Sequence, residues 1–456
     1  MEAAAAHLLD FSKPFDVELL DQISAISMDG LHPQRSRAND FLILLKDNEQ
    51  MWKRADAILE TSKQEVSKYF ALQLLSDMIN TRWKIIPQDQ RIGIRNYIVS
   101  KIISLSSNEE TYLHKNSILP RFNLVLVEIL KQDWPHAWPT FISDIIGSSK
   151  GSELLCENNM KILKLLSEEI FDFSISSMTS IKIKSMKESL NHEFSQIFQL
   201  CEYILSVSTK ESLLLATLQT LQRFLTWIPL GYIYETPLIS VLITKFFPLP
   251  PYRRVVVDCL TEISSLPSNE VPSNYTTGMQ GLLVMFIQQL TQVIPPGASI
   301  ATAYEDGSDD DQLFVQRLAL FMATYLKGYF HLFSLPDGSL LHQDAVLAAL
   351  HCMVRISEVS DEEVFKTCLE FWHHFTRELH NAATGATSNN GGFASHTLGS
   401  PLRPQPQSSH HSNILHRLQL LSELLHMLRV VMIDHMAKPE EVSLTLLPIA
   451  YNINLY

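Results

Sequence analysis

The stretch Tyr69 to Ile98, YFALQLLSDMINTRWKIIPQDQRIGIRNYI, leaves the chain few ways to fold. Phe70, Leu74, Ile79 and Trp83, with Leu72, Leu75 and Met78 between them, recur at three- and four-residue steps and lay an apolar stripe along one helix. Gln73, Asp77, Asn80 and Lys84 form a polar stripe on another face. Pro87 cannot continue that helix but suits the first turn of the next, and Ile92, Ile94, Tyr97 and Ile98 then resume the helical spacing. Two helices therefore meet at a tight corner, and the stretch reads as half of a repeat.

Composition supports this reading. Among 456 residues 46% are hydrophobic and only 15 are glycine, with almost no period-2 segments, which argues for packed helices over sheets. A formal net charge of −13 opposes direct binding to nucleic acid or to an anionic membrane, both of which need basic surface, and favours basic partner surfaces. Cys156, Cys201, Cys259, Cys352 and Cys368 are widely spaced in apolar helical text, without a Cys-x-x-Cys pair, and read as reduced core residues. The Met1-Glu2-Ala3 start lacks a basic region and an apolar core, and no run of about eighteen apolar residues occurs. An intracellular, soluble protein is expected.

Amphipathic helices are predicted from Phe15 to Ile26 and Gln34 to Leu45 around a Gly30 to Pro33 turn, then Met51 to Leu59 with Glu65 to Asn80, then Gln88 to Ser104 with Tyr112 to Lys131. A spacing of about forty residues is that of a HEAT-type array. The fold class is therefore all-α, a HEAT-repeat α-solenoid in which antiparallel helix pairs build a superhelix. Asp133 to Pro139, DWPHAWP, is expected to open the next helix with Asp133 as its cap, the prolines in its first turns and both indoles packed against neighbouring repeats. Glu157 to Phe173 turns Met160, Leu163, Leu166 and Ile170 inward and presents Lys161, Lys164 and Glu168 on a polar face. Further helices are predicted over 181–207, 213–227, 237–247, 252–265, 278–293, 312–330, 341–357 and 362–379, completing eight pairs. The acidic turn Glu305 to Asp311 reads as carboxylates favoured by a helix N-terminus, because it lacks the spacing of a calcium loop. Asn381 to Ser412, rich in Gly, Ser, Asn, Pro and His, is expected to be a flexible loop, and Ile414 to Met436 one long helix opening a ninth repeat.

Catalytic signatures do not assemble. There is no Gly-x-Ser-x-Gly elbow, no His-Glu-x-x-His and no dinucleotide fingerprint. Gly147 to Ser152 lacks the Gly-Lys-Ser/Thr ending of a phosphate loop and reads as an inter-helix turn. His373-His374 and His410-His411 are adjacent pairs that on a helix point to different faces, so neither predicts a metal site, and no cofactor is expected. Asn274-Tyr275-Thr276 matches a glycosylation acceptor that would matter only in a secreted protein.

Phe70 to Leu75 (FALQLL) with Thr81 to Lys84 (TRWK) resembles the amino-terminal domain of importin-β-type transport receptors, and within them the exportins. Asp133 to Ile145, Cys156 to Ser174, Asn191 to Cys201, Trp227 to Glu235 and Met436 to Val442 carry the same resemblance through nearly the whole chain. The resemblance implies a nuclear export receptor that shuttles between nucleus and cytoplasm through nuclear pores, with pore proteins as possible partners. Its first repeats would grip the small GTPase Ran in its GTP form through second helices on the concave side. Cargo with a leucine-rich export signal would bind a groove between later repeats, which this sequence does not carry, and no cysteine here is assigned the role of that groove's reactive cysteine. Domains follow as 1–132, importin-β-type Ran-binding repeats; 133–380, further HEAT-type repeats; 381–412, a flexible loop; and 413–456, an incomplete ninth repeat. In its tail Ser443 to Asn452 replaces the family's Ran-contacting loop before Ile453 to Tyr456, and an exposed apolar helix face there is expected to drive self-association.

For Ran the expected contacts are Gln73, Asp77 and Asn80, with Lys161 and Lys164 as a second group, because the concave helix faces of solenoids are their binding surfaces. The competing reading is a truncated HEAT-repeat scaffold that binds other proteins and does not support export. An enzyme is not expected, since no cluster of converging titratable groups is legible.

Overall fold

The computed structural model describes residues 7–107, 109, 117–171, 179–267, 271–335, 337, 339–384 and 416–436. Among these the structure is helical, and the β structure amounts to an isolated antiparallel bridge between Ser334 and Leu340. The chain divides into two compact units, Met1–Phe224 and Leu225–Tyr456.

In the first unit five helix pairs follow one another: α1 (Val17–Met28) with α2 (Arg35–Asp47), α3 (Ala55–Thr61) with α4 (Glu65–Arg82), α5 (Gln88–Ser106) with α6 (Leu119–Asp133), α7 (Phe141–Ser149) with α8 (Glu153–Phe171), and α9 (Ser180–Val207) with α10 (Glu211–Leu225). Second helices pack on second helices, α4 on α6 and α6 on α8, so each pair closes the core of its neighbour. The arrangement is the HEAT-like helical repeat that the hydrophobic spacing demands. In α4 Ser67, Phe70, Ala71, Leu72, Leu74, Leu75, Met78 and Ile79 are all buried, because α1 and α3 cover one flank and α6 another. Along α8 Met160, Leu163, Leu166 and Ile170 point inward, each almost fully buried.

The DWPHAWP segment departs from expectation. Asp133 does not cap the following helix: it is the last residue of α6, buried, and its carboxylate accepts a hydrogen bond from the Trp83 indole N–H at 2.7 Å, with Arg91 at 3.8 Å. Its partner is an indole from the preceding repeat, which satisfies a buried carboxylate better than its own chain can. The prolines precede α7, whose N-cap is Thr140, and Trp134-Pro135 is a cis peptide. Trp134 lies in the core, while Trp138 packs edge-on against Phe141 at 5.2 Å and under the Arg95 guanidinium at 4.6 Å.

The second unit repeats the two-layer logic. One layer holds α12 (Leu238–Val241), α14 (Thr276–Val293), α17 (Gln343–Ile356) and α19 (Ser422–Met436); the other holds α13 (Pro250–Ser264), α16 (Asp309–Tyr329) and α18 (Glu362–Thr384). Two short helices, α11 (Leu230–Tyr234) and α15 (Ile300–Glu305), fill corners. The core is an aromatic chain from Phe247 to Phe286 at 4.9 Å, Phe321 at 4.7 Å, Tyr325 at 6.0 Å and Tyr329 at 5.5 Å. Both buried hydroxyls are satisfied, Tyr325 donating to the Met279 carbonyl and Tyr329 to the Leu266 carbonyl, each at 2.5 Å. Ser308 and Asp311 form a capping box at the start of α16, so the acidic turn serves the helix N-terminus. Gly307 is required beside it, since a Cβ there would collide with the Ala303 carbonyl oxygen.

Two expected boundaries move. Helix α18 runs on to Thr384, past the expected loop start at Asn381, and the helix expected over 414–436 is broken at Leu421. Residues 385–415, which hold the rest of the expected loop, and 437–456, which hold the altered tail, lie outside the described residues, as do Tyr112 and His410-His411.

All five cysteines are free and buried. Burial pushes the Cys156 thiol up to about 11, Cys368 to about 11 and Cys352 to about 12, and raises Cys201 and Cys259 as well. Thiolates are the reactive form. A maleimide at neutral pH should therefore label none of the five in the native protein and all of them in denaturant; rapid native labelling, read by intact mass, would contradict this packing.

Candidate protein-binding surface

The second helices of the first unit are tied to one another by polar side chains rung by rung. Lys46 of α2 pairs with Asp77 of α4 at 3.1 Å, and Ser76 of α4 donates to Glu128 of α6 at 2.7 Å. Between α6 and α8, Asn123 and Asn158 exchange amide hydrogen bonds at 2.8 and 3.0 Å, and Lys131 pairs with Glu169 at 2.7 Å. Between α8 and α10, the Thr220 hydroxyl donates to the Met160 carbonyl at 2.9 Å and Arg223 pairs with Glu168 at 2.8 Å. Glu157 is the most enclosed of the charged groups, its side chain 3% exposed, and it is held by Lys161 at 2.9 Å, Lys210 at 3.4 Å and the Ser212 hydroxyl at 2.7 Å.

Against this ladder the five expected contact residues separate. Gln73 and Asn80 are exposed on α4. Asp77 lies on the same helix, with its side chain about half exposed, and is engaged by Lys46. Lys161 braces the buried Glu157 carboxylate, so part of its role is structural. Lys164 helps line a groove of about 260 Å³ with Leu119, Asn123, Asn158, Glu168 and Gln219. The two groups are not brought into contact: α6 stands between α4 and α8, and Ser76, Glu128, Asn123 and Asn158 form the polar bridge across it.

Sequence reasoning missed the bridging set. Glu128 is a lone acid in the apolar run LVLVEIL, and Asn158-Asn159 sits inside an apolar helix, so each was a visible signal of a polar group needing a partner. Lys46 and Lys210 carried no signal, because a lysine near a helix end is usually solvated.

Such a layer can bind a surface by complementarity. Among the described residues no group of three or more His, Cys, Asp or Glu could hold a metal ion, and no helix is long and apolar enough to cross a membrane.

Comparison with known proteins agrees with the repeat architecture. Residues 38–104 match the importin-beta N-terminal domain, 115–260 the exportin 1-like protein family and 344–380 the chromosome region maintenance or exportin repeat. The helical repeats and these matches define the class: the chain resembles exportin 1-like proteins that carry an importin-beta N-terminal domain. Within it the similarity is to exportin-1. Protein EXPORTIN 1A of Arabidopsis thaliana is 41% identical over 442 residues, 96% of this chain and 40% of the relative. Exportin-1 of Drosophila melanogaster is 41% identical over 438 residues, 96% of this chain and 39% of the relative. Exportin-1 of Schizosaccharomyces pombe is 38% identical over 439 residues, 95% of this chain and 40% of the relative. The chain thus spans about 40% of the length of these relatives.

The ladder makes two substitutions diverge. Asp77→Ala breaks an exposed pair and should change stability by less than about 1 kcal/mol. Glu157→Ala leaves Lys161 and Lys210 without their enclosed carboxylate and should cost about 2–3 kcal/mol. Equal melting temperatures for the two variants in calorimetry would contradict the assignment of bracing and exposed positions.

Proposed function

We propose that this chain is the Ran-engaging amino-terminal region of a nuclear export receptor, acting by surface complementarity and without catalysis. The observation that carries the reading is that the importin-beta N-terminal match, residues 38–104, falls on α2 to α5 and so includes α4 with its exposed Gln73 and Asn80. In this reading Ran in its GTP form lies against the second-helix layer, with Gln73, Asp77 and Asn80 as one contact and Lys161 and Lys164 as the other. Carriage of cargo with leucine-rich export signals, encounters with nuclear pore proteins and shuttling between nucleus and cytoplasm belong to the same proposal.

Affinity at protein interfaces is concentrated in a few residues, and those with no internal partner are free to supply it. Gln73 and Asn80 therefore carry more of the expected binding than Lys161, which is committed to Glu157. The test is binding of the purified chain to Ran loaded with a non-hydrolysable GTP analogue against the GDP form, without cargo. Selective binding of the GTP form is expected, and the double variant Gln73→Ala, Asn80→Ala should weaken it at least about tenfold, a loss of about 1.4 kcal/mol, with unchanged melting temperature. Indifference to nucleotide state would remove the Ran assignment and leave the scaffold reading.

A further inference from the structure

Around α8 the second-helix layer gathers cations, although the chain as a whole has a net charge of −13. Glu157 is shared by Lys161 at 2.9 Å and Lys210 at 3.4 Å, and Glu168 is engaged by Arg223 at 2.8 Å. Lys164 falls between Lys161 and Glu168 on the same helix, is half-buried, and forms no ion pair among the described residues. Four cations thus meet two carboxylates. A half-buried ammonium has given up part of its water, and without a counter-ion nothing in the chain offsets that cost.

Lys164 stands on the groove of about 260 Å³ that α6, α8 and α10 line together. Asn123 and Asn158, both buried, form part of that lining. Their amides exchange one hydrogen bond in each direction, and each keeps a second N–H that this exchange does not use. Gln219 of α10 adds an amide that forms no hydrogen bond among the described residues. Leu119, Leu165 and Ala216 supply apolar lining. Glu168 lines the groove too, but its carboxylate is held by Arg223. The volume falls below the roughly 300–1,000 Å³ typical of small-molecule pockets and is on the scale of a side chain.

We infer that this groove takes one acidic side chain of a partner protein, its carboxylate meeting the Lys164 ammonium and the Gln219 amide and its methylenes resting on Leu119, Leu165 and Ala216. The inference rests on the reading of the second-helix layer as a protein-binding surface and names the chemistry of its α8 contact. Charge complementarity selects the occupant: the groove offers a cation without a counter-ion and amide N–H donors, and a carboxylate answers both. A nucleic-acid strand would bring the same sign of charge, but the chain's overall charge repels a polyanion.

The test uses the full chain and fluorescein-labelled hexaglutamate, followed by fluorescence anisotropy in about 0.05 M salt, where screening is weak. Saturable binding is expected, with hexaglutamine failing to bind. Lys164→Met should weaken it at least about tenfold at an unchanged melting temperature, because the substitution removes an unpaired ammonium and keeps the stem. Lys164→Arg should restore it to within about threefold, and Gln73→Ala, Asn80→Ala should leave it as it is. In the Ran assay Lys164→Met should likewise weaken binding of the GTP form. Absence of selective Ran binding beside Lys164-dependent hexaglutamate binding would remove the Ran assignment and keep the groove. The inference is overturned if hexaglutamate does not bind, if Lys164→Met binds it undiminished, if hexaglutamine binds equally, or if Ran binds Lys164→Met as tightly as the native chain.

Discussion

The structure depends on one constraint: each long helix of the array is too apolar to be covered by a single neighbour. Helix α4 buries Phe70, Leu74 and Ile79 together with Leu72, Leu75 and Met78, positions that together wrap most of its circumference. Covering them takes a first-layer helix on one side and the second helix of the next pair on the other. A lone pair would leave several leucine-sized side chains in water, at about 1.5–3 kcal/mol each. Stability is therefore shared between neighbours, and each pair is both client and lid.

That constraint decides what polar groups can do. On a helix enclosed on most of its flanks only a narrow stripe remains, and the repeat uses part of it for bracing. Ser76 reaches Glu128, Asn123 meets Asn158, and Glu157 gathers Lys161, Lys210 and Ser212. Each of these satisfies a group that burial would otherwise penalise by about 1–3 kcal/mol. What is left over among the described residues, Gln73 and Asn80 above all, is exposed surface. Fold and binding surface are thus two uses of the same stripe.

Helix existence and pairing were legible in the sequence because period 3.6 is a local signal, repeated at every pair. The inward faces of α4 and α8 were read residue by residue and lie buried. Asp133 was misread because a buried acid before a proline resembles a cap, and the indole that satisfies it, Trp83, comes from a different repeat. Lys161 reads in the sequence as a contact residue on a polar face; its bond to Glu157 is one helical turn away, but the enclosure that makes Glu157 demand it comes from α10. Local periodicity reports which side faces inward. It does not report which polar group across the layer needs a partner.

Charge shows the same division between global count and local arrangement. The net charge of −13 reads as an acidic molecule, yet a partner senses charges within about one Debye length, roughly 8–10 Å in physiological salt. At the edge where α4 and α6 end, Asp133 meets the Trp83 indole and Arg91, and Lys131 meets Glu169, so the charges there are set by partners drawn from different repeats. No composition figure contains that information, because it arises only when the repeat brings residues distant in sequence together. An array that buries apolar stripes between pairs leaves its helix ends as the places where such neighbours from different repeats meet.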